Sequence, residues 1–590
     1  MAHPIHSILI IGGGPCGLAV AARLRETTPS AIFTDSEHQR YHWINKHKGR
    51  MNLVRRRRGK MGSLGVPSST STSSTKEKRK ENEKERTSSV SSQGSVSSSY
   101  SSSTGGGENE SMTSLSDNEE DESEKEVKPS MLVLDSTAPS WLSKWNRAFA
   151  TLEIEQLRSP MFFHPDPSDR DGMLAYTTEQ GREKDLYEIP NCVGKEVSKH
   201  KRKKQRQQKN LGVLGETNID ERDRKDYFSP STGLFRDFCE SVVGRYGLDQ
   251  EGLMEQGEVA DIKYGYVDEV DGEKKIFTVT AKDGRIFYAR AVVMAIGPGG
   301  RKILPFELGP KEAEGACHAG EIKMFPSINV KQKIQQRKET NVVVVGGGLS
   351  SAQIVDMAVR KGVSKVWFLM RSDFKVKHFD ITLSWMGKFK NYEKAVFWSA
   401  DTDEERMEMI KTARGGGSIT PRYQKIVRDH AARNRVSIHT RTMITGKEYC
   451  PVSKTWRLTT DPPIADLPEI DYIYFATGMH MDVNELPCLQ QMHRDYPIRS
   501  IGGLPCLTDD LMWQAEVPLY MTGRLAALRL GPGAPNLEGA RLGAERIAWS
   551  MEEVLGKEAF GREETEEEEE VDRSMECFCG LGNRYAELIE

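Results

Sequence analysis

None of the nine cysteines form a C-x-x-C pair, and their spacing outlines no disulfide framework. Scattered thiols suit a reducing compartment and exclude a dithiol redox centre of the disulfide-reductase type. The closest two, Cys577 and Cys579, lie in the C-terminal tail and read as tail thiols. No run approaches the roughly 20 apolar residues that span a bilayer, so no membrane span is expected. The N-terminus passes almost directly into a strand pattern, which leaves no room for a signal peptide and points to a cytoplasmic protein. Net charge is only −3 over 590 residues, so no global bias toward nucleic acid exists. No metal cluster and no catalytic triad stands out. With 37% hydrophobic and 29% charged residues, the composition is that of a soluble globular protein.

Aromatic residues are almost missing from 55–128, where four arginines give way to serine, threonine and Lys/Glu blocks and then to an acidic run. Such a stretch buries too little apolar surface to offset its ordering entropy, which predicts a disordered insertion. A second polar insertion, 195–224, holds the basic run 199–209, read either as a solvated loop or as a nuclear-targeting or anionic-surface patch. Both insertions offer a surface for a protein partner. The tail 556–590 carries the acidic run EETEEEEE and is expected to be mobile.

Glycine is where the chain is informative. Ile8 to Ile11 form an apolar strand, Gly12, Gly14 and Gly17 supply G-x-G-x-x-G, and an Ala/Leu/Arg helix follows. The first glycine permits the tight turn, the second admits a pyrophosphate, the third lets the helix pack on the strand, and the helix N-terminus then holds the negative charge. A second apolar strand, Ala31 to Thr34, ends at Asp35, placed to accept hydrogen bonds from an adenosine ribose. Contacts to this first dinucleotide are therefore expected from Gly12, Gly14, Pro15, Cys16, Gly17 and Asp35. Beyond the acid, Trp43 reads equally as a pocket wall or a core aromatic, and Asn45 beside it is a candidate substrate contact.

The pattern repeats from Thr340. Gly346 and Gly348 recur, Ser351 replaces the third glycine, and Arg371 with Ser372 stands where the first unit has its acid. An acid favours a free ribose hydroxyl, whereas arginine accommodates a 2′-phosphate, so FAD is assigned to the first unit and NADPH to the second. Contacts are expected from Gly346, Gly348, Leu349, Ser350, Ser351 and Arg371. Trp141, Trp145, Phe149 and Leu152 recur at helical spacing, as a packing face does. The segment LRSPMFFHPDP is a candidate pocket wall with His164 as its titratable group. Ser229 or Ser231 caps a following helix, and residues between about 258 and 297 alternate as an antiparallel meander ending in a buried strand near Ala295 and Gly297.

The apolar strand Ile470 to Phe475, with Ala476, Thr477 and Gly478 after it, is expected to return the chain to the first domain and end against its cofactor. A closing strand, Gly523, a Gly/Pro-rich loop and a helix starting at Asn536 or Leu537 follow, with the helix N-terminus facing the reduced flavin. The fold class is α/β, with two Rossmann-like dinucleotide-binding domains, the NADP domain inserted in the FAD domain, and a small meander. The boundaries are 1–54, 129–335 and 470–555 for the FAD domain and 336–469 for the NADP domain.

Two glycine turns, one nested inside the other's domain, an FATG element (Phe475 to Gly478) and a closing strand-loop-helix resemble the two-dinucleotide-binding flavoproteins. Without C-x-x-C, the resemblance is to flavin-dependent monooxygenases. Trp43, LRSP (Leu157 to Pro160) and Arg371–Ser372 look like the ornithine and lysine N-hydroxylating branch. RSPMFFHPDP and LGPGAPNLEGAR bring the chain closer to the oxidative-stress-induced growth inhibitors and their fungal relatives. Gly315 and His318 echo the Baeyer–Villiger fingerprint without its leading phenylalanine, so ester formation is not expected. The resemblance implies that NADPH reduces FAD, that O2 then gives a flavin C4a-hydroperoxide, and that a nucleophilic nitrogen or sulfur of a small molecule is oxygenated. The alternative is a regulatory protein that keeps the fold as a redox or NADPH sensor.

Overall fold

The first sheet is assembled from strands far apart in sequence: β1 (Ile5–Ile11), β2 (Met131–Asp135), β3 (Met254–Gln256), β4 (Val259–Val267), β5 (Asp271–Ala281) and β6 (Ile286–Met294), joined near the end of the chain by β16 (Met512–Gln514) and β17 (Val517–Met521). Its order is β16-β17-β6-β1-β2-β3, with the β4–β5 hairpin attached to β6. β1 is parallel to both neighbours, Ile10 standing between Val133 and Val293. A strand covered on both faces must be apolar throughout, and Ile8 to Ile11 are all buried. Helix α1 (Pro15–Arg25) leaves the end of β1. The computed structural model describes residues 4–26, 130–168, 170–190, 192, 227–297, 299–387, 390–556 and 560. The insertion 55–128, the run 199–209, the acidic run after Gly561, and Asp35, Trp43, Asn45, Cys577 and Cys579 lie outside them.

The meander is as the alternation implies: β4, β5 and β6 are antiparallel, and β6 carries on into the parallel sheet beside β1. Ser231 caps helix α3 (Thr232–Arg245), which precedes the meander, its hydroxyl accepting from Leu234 N. Trp145 and Phe149 share helix α2 (Ser143–Thr151) and stack at 4.5 Å.

Two short strands cross between the sheets, β7 (Arg301–Lys302) outward and β15 (Met479–His480) on the return, and they pair with each other. The second sheet holds β8 (Ala316–His318), β9 (Asn341–Val345), β10 (Lys365–Met370), β11 (Val436–Thr440) and β14 (Tyr472–Phe475), with a hairpin, β12 (Met443–Cys450) and β13 (Thr455–Asp461), beside it. It is parallel throughout, in the order β8-β14-β9-β10-β11. The strand at 470–475 is thus part of the second sheet. The expectation that it rejoins the first domain is corrected: its four residues are all buried between two parallel neighbours, β8 and β9. The second domain consequently begins before 336 and extends past 469.

Between β10 and helix α7 (Pro421–Ala432), a helical stretch with α5 (Lys390–Trp398) and α6 (Asp403–Arg414) packs away from its own sheet. Its Phe379, Trp385, Phe397, Met407 and Ile410 join the core of the first sheet. Helix α8 (Leu537–Leu555) closes the first domain against α1, where Arg23 and Glu545 form a buried ion pair at 2.7 Å.

Candidate functional site: two dinucleotide cradles

At the end of β1, Gly12 has φ +115°, and a Cβ there would overlap the carbonyl oxygen of Ala295 at the end of β6. A Cβ on Gly17 would overlap the carbonyl of Gly12, so α1 lies directly on the turn. Gly14 is different. It is the N-cap of α1, with Pro15 at the first helical position, and a Cβ would meet nothing within 4 Å. That open space at a helix N-terminus with uncapped N–H groups is what a pyrophosphate fills.

Cys16 lies in the first turn of α1, its Sγ 3.3 Å from the Cβ position of Gly523, which follows β17 and has φ +66°. Burial pushes this thiol up to about 11, partly offset by the Thr522 hydroxyl, so it is an uncharged wall of the cradle. Gly523 and the turn are therefore brought together.

The acid at the end of the neighbouring strand is Asp135. Its Oδ2 accepts from Gly13 N at 2.9 Å and its Oδ1 from Thr137 N at 2.7 Å, at 9% exposure. Asp35 lies outside the described residues; among the described ones, the strand next to β1 that ends in a carboxylate is MLVLD. Four buried apolar residues followed by Asp were the available signal. The usual spacing of about 20 residues from glycine turn to acid concealed it, because the long insertion stands between.

The second turn repeats the geometry. Gly346 has φ +146°, and its Cβ would overlap the carbonyl of Ala476 at the end of β14. Gly348 caps helix α4 (Leu349–Arg360) with nothing within 4 Å of its Cβ position. Ser351, fully buried, turns its hydroxyl onto Gly348 O at 2.6 Å, so serine serves where the first unit needs glycine. Leu349 and Ser350 begin the helix. Arg371 follows directly on β10 and is exposed, while the nearby Asp373 is neutralised by Arg441 through bonds of 2.8 and 2.7 Å.

Facing this turn is a glycine loop that sequence reading missed. The Cβ position of Gly417 lies 3.2 Å from Gly348 N, and Lys375 and Lys377 donate to the carbonyls of Gly415 and Arg414, each at 2.9 Å. From the first domain, Arg158 of the LRSP segment donates to the carbonyls of His378, Lys377 and Ser418. Burial lowers the Arg158 guanidinium to about 10, with Arg414 also lowering it and Asp380 opposing.

Gly478 is not at the first cradle. It lies in the returning crossover with φ +86°, and its carbonyl accepts from His318 Nε2 at 3.0 Å and Ile303 N at 3.1 Å. This corrects its expected role, because the strand before it ends on the second turn. Asn536 is the N-cap of α8 but does not cap it. Its Nδ2 donates instead to Asp380 Oδ1 at 3.0 Å, leaving the first N–H groups at Leu537 open. Asp380 also pairs with Arg414 at 2.7 Å, whose other nitrogen reaches Pro532 O at 2.8 Å.

His164, expected as a substrate contact, is fully buried, with Nε2 2.9 Å from Arg170 O and its ring edge on Phe238. That is the setting of a packed core histidine, since no face of the ring reaches a cleft. Among the described residues, no His/Cys/Asp/Glu group suits a metal ion and no helix is long and apolar enough to cross a membrane.

Residues 250–480 match the family described as L-lysine 6-monooxygenase/L-ornithine 5-monooxygenase. Over that stretch, less than half of the chain, the sequence is similar to the lysine and ornithine monooxygenases. The ornithine hydroxylase from Pseudomonas aeruginosa shares the fold with TM-score 0.53 at 13% identity, over 94% of this chain and 100% of that one. The ornithine N-hydroxylase from Kutzneria sp. 744, a complex with reduced FAD, NADP+ and L-ornithine, gives 0.52 at 13% identity over the same shares. No curated protein matches the sequence.

Proposed function

We propose that this chain is an FAD- and NADPH-dependent monooxygenase that oxygenates a nucleophilic nitrogen or sulfur of a small molecule. The observation that carries the reading is the paired cradle: two open helix N-caps at Gly14 and Gly348, one beside Asp135 and the other beside Arg371. FAD, when bound, supplies the activation of O2 with electrons that NADPH delivers.

The residues divide the work of holding these groups. Gly14, Pro15 and Cys16 take the FAD pyrophosphate at the N-terminus of α1, and Asp135 accepts from the ribose hydroxyls. Gly523 would leave room for the ring system, and the uncapped N–H groups at Leu537 would favour negative charge on it through the helix dipole. Gly346, Gly348, Leu349, Ser350 and Ser351 hold the second pyrophosphate, and Arg371 the 2′-phosphate. Lys375, Lys377 and Arg158 add positive potential around it. Trp385 and Phe397, packed into the first core from the helical stretch, help to exclude water from the junction.

The test is absorbance of the purified protein, followed by anaerobic mixing with NADPH or NADH and then O2 with a panel of amines and thioethers. Bound flavin bleached faster by NADPH, with turnover raised by one of the panel, supports the reading. Protein that neither binds FAD nor oxidises NADPH overturns it. The charged insertions favour the sensor alternative, which expects nucleotide binding without sustained NADPH consumption.

A further inference from the structure

His318 stands where the two crossings between the sheets meet. It ends β8, is 4% exposed, and makes two hydrogen bonds that together assign its proton. Nδ1 accepts from Gly320 N at 3.1 Å, so Nδ1 carries no hydrogen, and Nε2–H donates to the carbonyl of Gly478 at 3.0 Å. That same carbonyl accepts from Ile303 N on the outgoing crossing. Glu321, three residues on, accepts from His318 N at 3.2 Å and pairs with Lys302 of β7. One short turn thereby grips both strands of the ribbon: the imidazole holds the returning strand and Glu321 the outgoing one. The strands themselves are tightly joined, since a Cβ on Gly300 would overlap the carbonyl of His480.

We propose that His318 is a positioning residue whose neutral Nε2–H tautomer clamps the β7–β15 ribbon to the second sheet, so that its protonation frees the second cradle from its set orientation toward the first.

The reason is local. A second proton would have to sit on Nδ1, opposite the Gly320 N–H, converting an acceptor into a donor facing a donor. It would also place a charge on a buried ring. Burial holds the imidazole below its usual value, opposed by the Gly478 carbonyl and the Glu321 carboxylate and assisted by Lys302. Among the described residues, Glu321 and Lys302 are the charged groups acting on the ring. Because the folded value is depressed, the clamp is complete above the ordinary imidazole range of about 6.5 and is lost as pH falls below it.

The inference rests on the proposed function for its consequence in turnover, but its structural core is tested without turnover. Hydrogen exchange in the full chain, corrected for the intrinsic effect of pH, is followed at 299–304 and 477–482. Wild-type protein is expected to protect Ile303 and its neighbours at about pH 8 and to lose that protection at about pH 5.5. His318→Gln, whose amide can donate to the Gly478 carbonyl without titrating, should stay protected at both values. His318→Ala should be unprotected at both. Equal protection in all three proteins, or a His318→Gln profile that follows wild type with pH, overturns the proposal. In FAD-loaded protein, NADPH-driven bleaching should slow by roughly tenfold per pH unit below the imidazole value in wild type and not in His318→Gln. Protein that binds neither nucleotide would sink the proposed function while the exchange result still decides the role of His318. Normal nucleotide reduction with pH-independent exchange would sink the clamp alone.

Discussion

A Cβ on Gly346 would overlap the carbonyl oxygen of Ala476, as a Cβ on Gly12 would overlap that of Ala295. In each unit the first glycine turns against the end of the strand on one side, while on the other the neighbouring strand ends at Asp135 or just before Arg371, the residues proposed to tell the two cofactors apart. The glycines therefore divide into two kinds, and substitution separates them.

Gly14→Ala and Gly348→Ala put a methyl into space that is empty in the protein, at φ −79° and −96°, which any residue adopts. Stability should change by no more than about 1 kcal/mol. Affinity should fall by about tenfold or more, for FAD with the first and NADP+ with the second, since the methyl meets the pyrophosphate. Flavin content and nucleotide titration check this alongside thermal unfolding. Gly12→Ala, strained and overlapping Ala295, should instead lose the fold around β1.

Asp135→Ala should weaken FAD binding by about 1.5–3 kcal/mol, the range of hydrogen bonds to a charged group, and Asp35→Ala should leave it near wild type. Titration of flavin-free protein decides between them. A loss confined to Asp35→Ala would restore the acid to the sequence position first expected.

Removing Arg371 tests the second assignment. Arg371→Ala should reduce discrimination between NADPH and NADH by roughly ten- to a hundredfold, through weaker NADPH binding and not stronger NADH binding. Unaltered discrimination would transfer the 2′-phosphate to Lys375, whose ammonium lies on the glycine loop at Gly415.

Much of this arrangement can be read from residues alone, because a glycine turn, a parallel strand and a helix each depend on neighbours in sequence. Gly12 to Gly17 and Gly346 to Ser351 are legible for that reason, as is the helix start at Asn536. The rest depends on partners distant in the chain. Ile470 to Phe475 announces a buried strand but not which sheet it enters. Asp135 follows an insertion that defeats counting from the turn. Phe379 and Trp385 show apolar character, yet nothing local says that they serve the first core and not their own. His318 and the two-residue strands of the ribbon are too short to carry a periodicity.

The closure of α1 on α8 depends on a charge pair that the core could not tolerate half-made. Arg23 and Glu545 are 2% and 3% exposed with 2.7 Å between them. Burial raises the Glu545 carboxyl, and Arg23 draws it back. Either Arg23→Met or Glu545→Met leaves one buried partner unmatched, at a cost of about 3–5 kcal/mol. The double replacement by apolar residues of similar size should recover most of that loss. Denaturant unfolding of the single and double variants measures the coupling. Because α1 and α8 present the two helix N-termini of the first cradle, each single variant should also release FAD more readily, and the double variant should retain it. A loss in the double variant equal to the sum of the two single losses would mean that Arg23 and Glu545 act independently, and would overturn the pair.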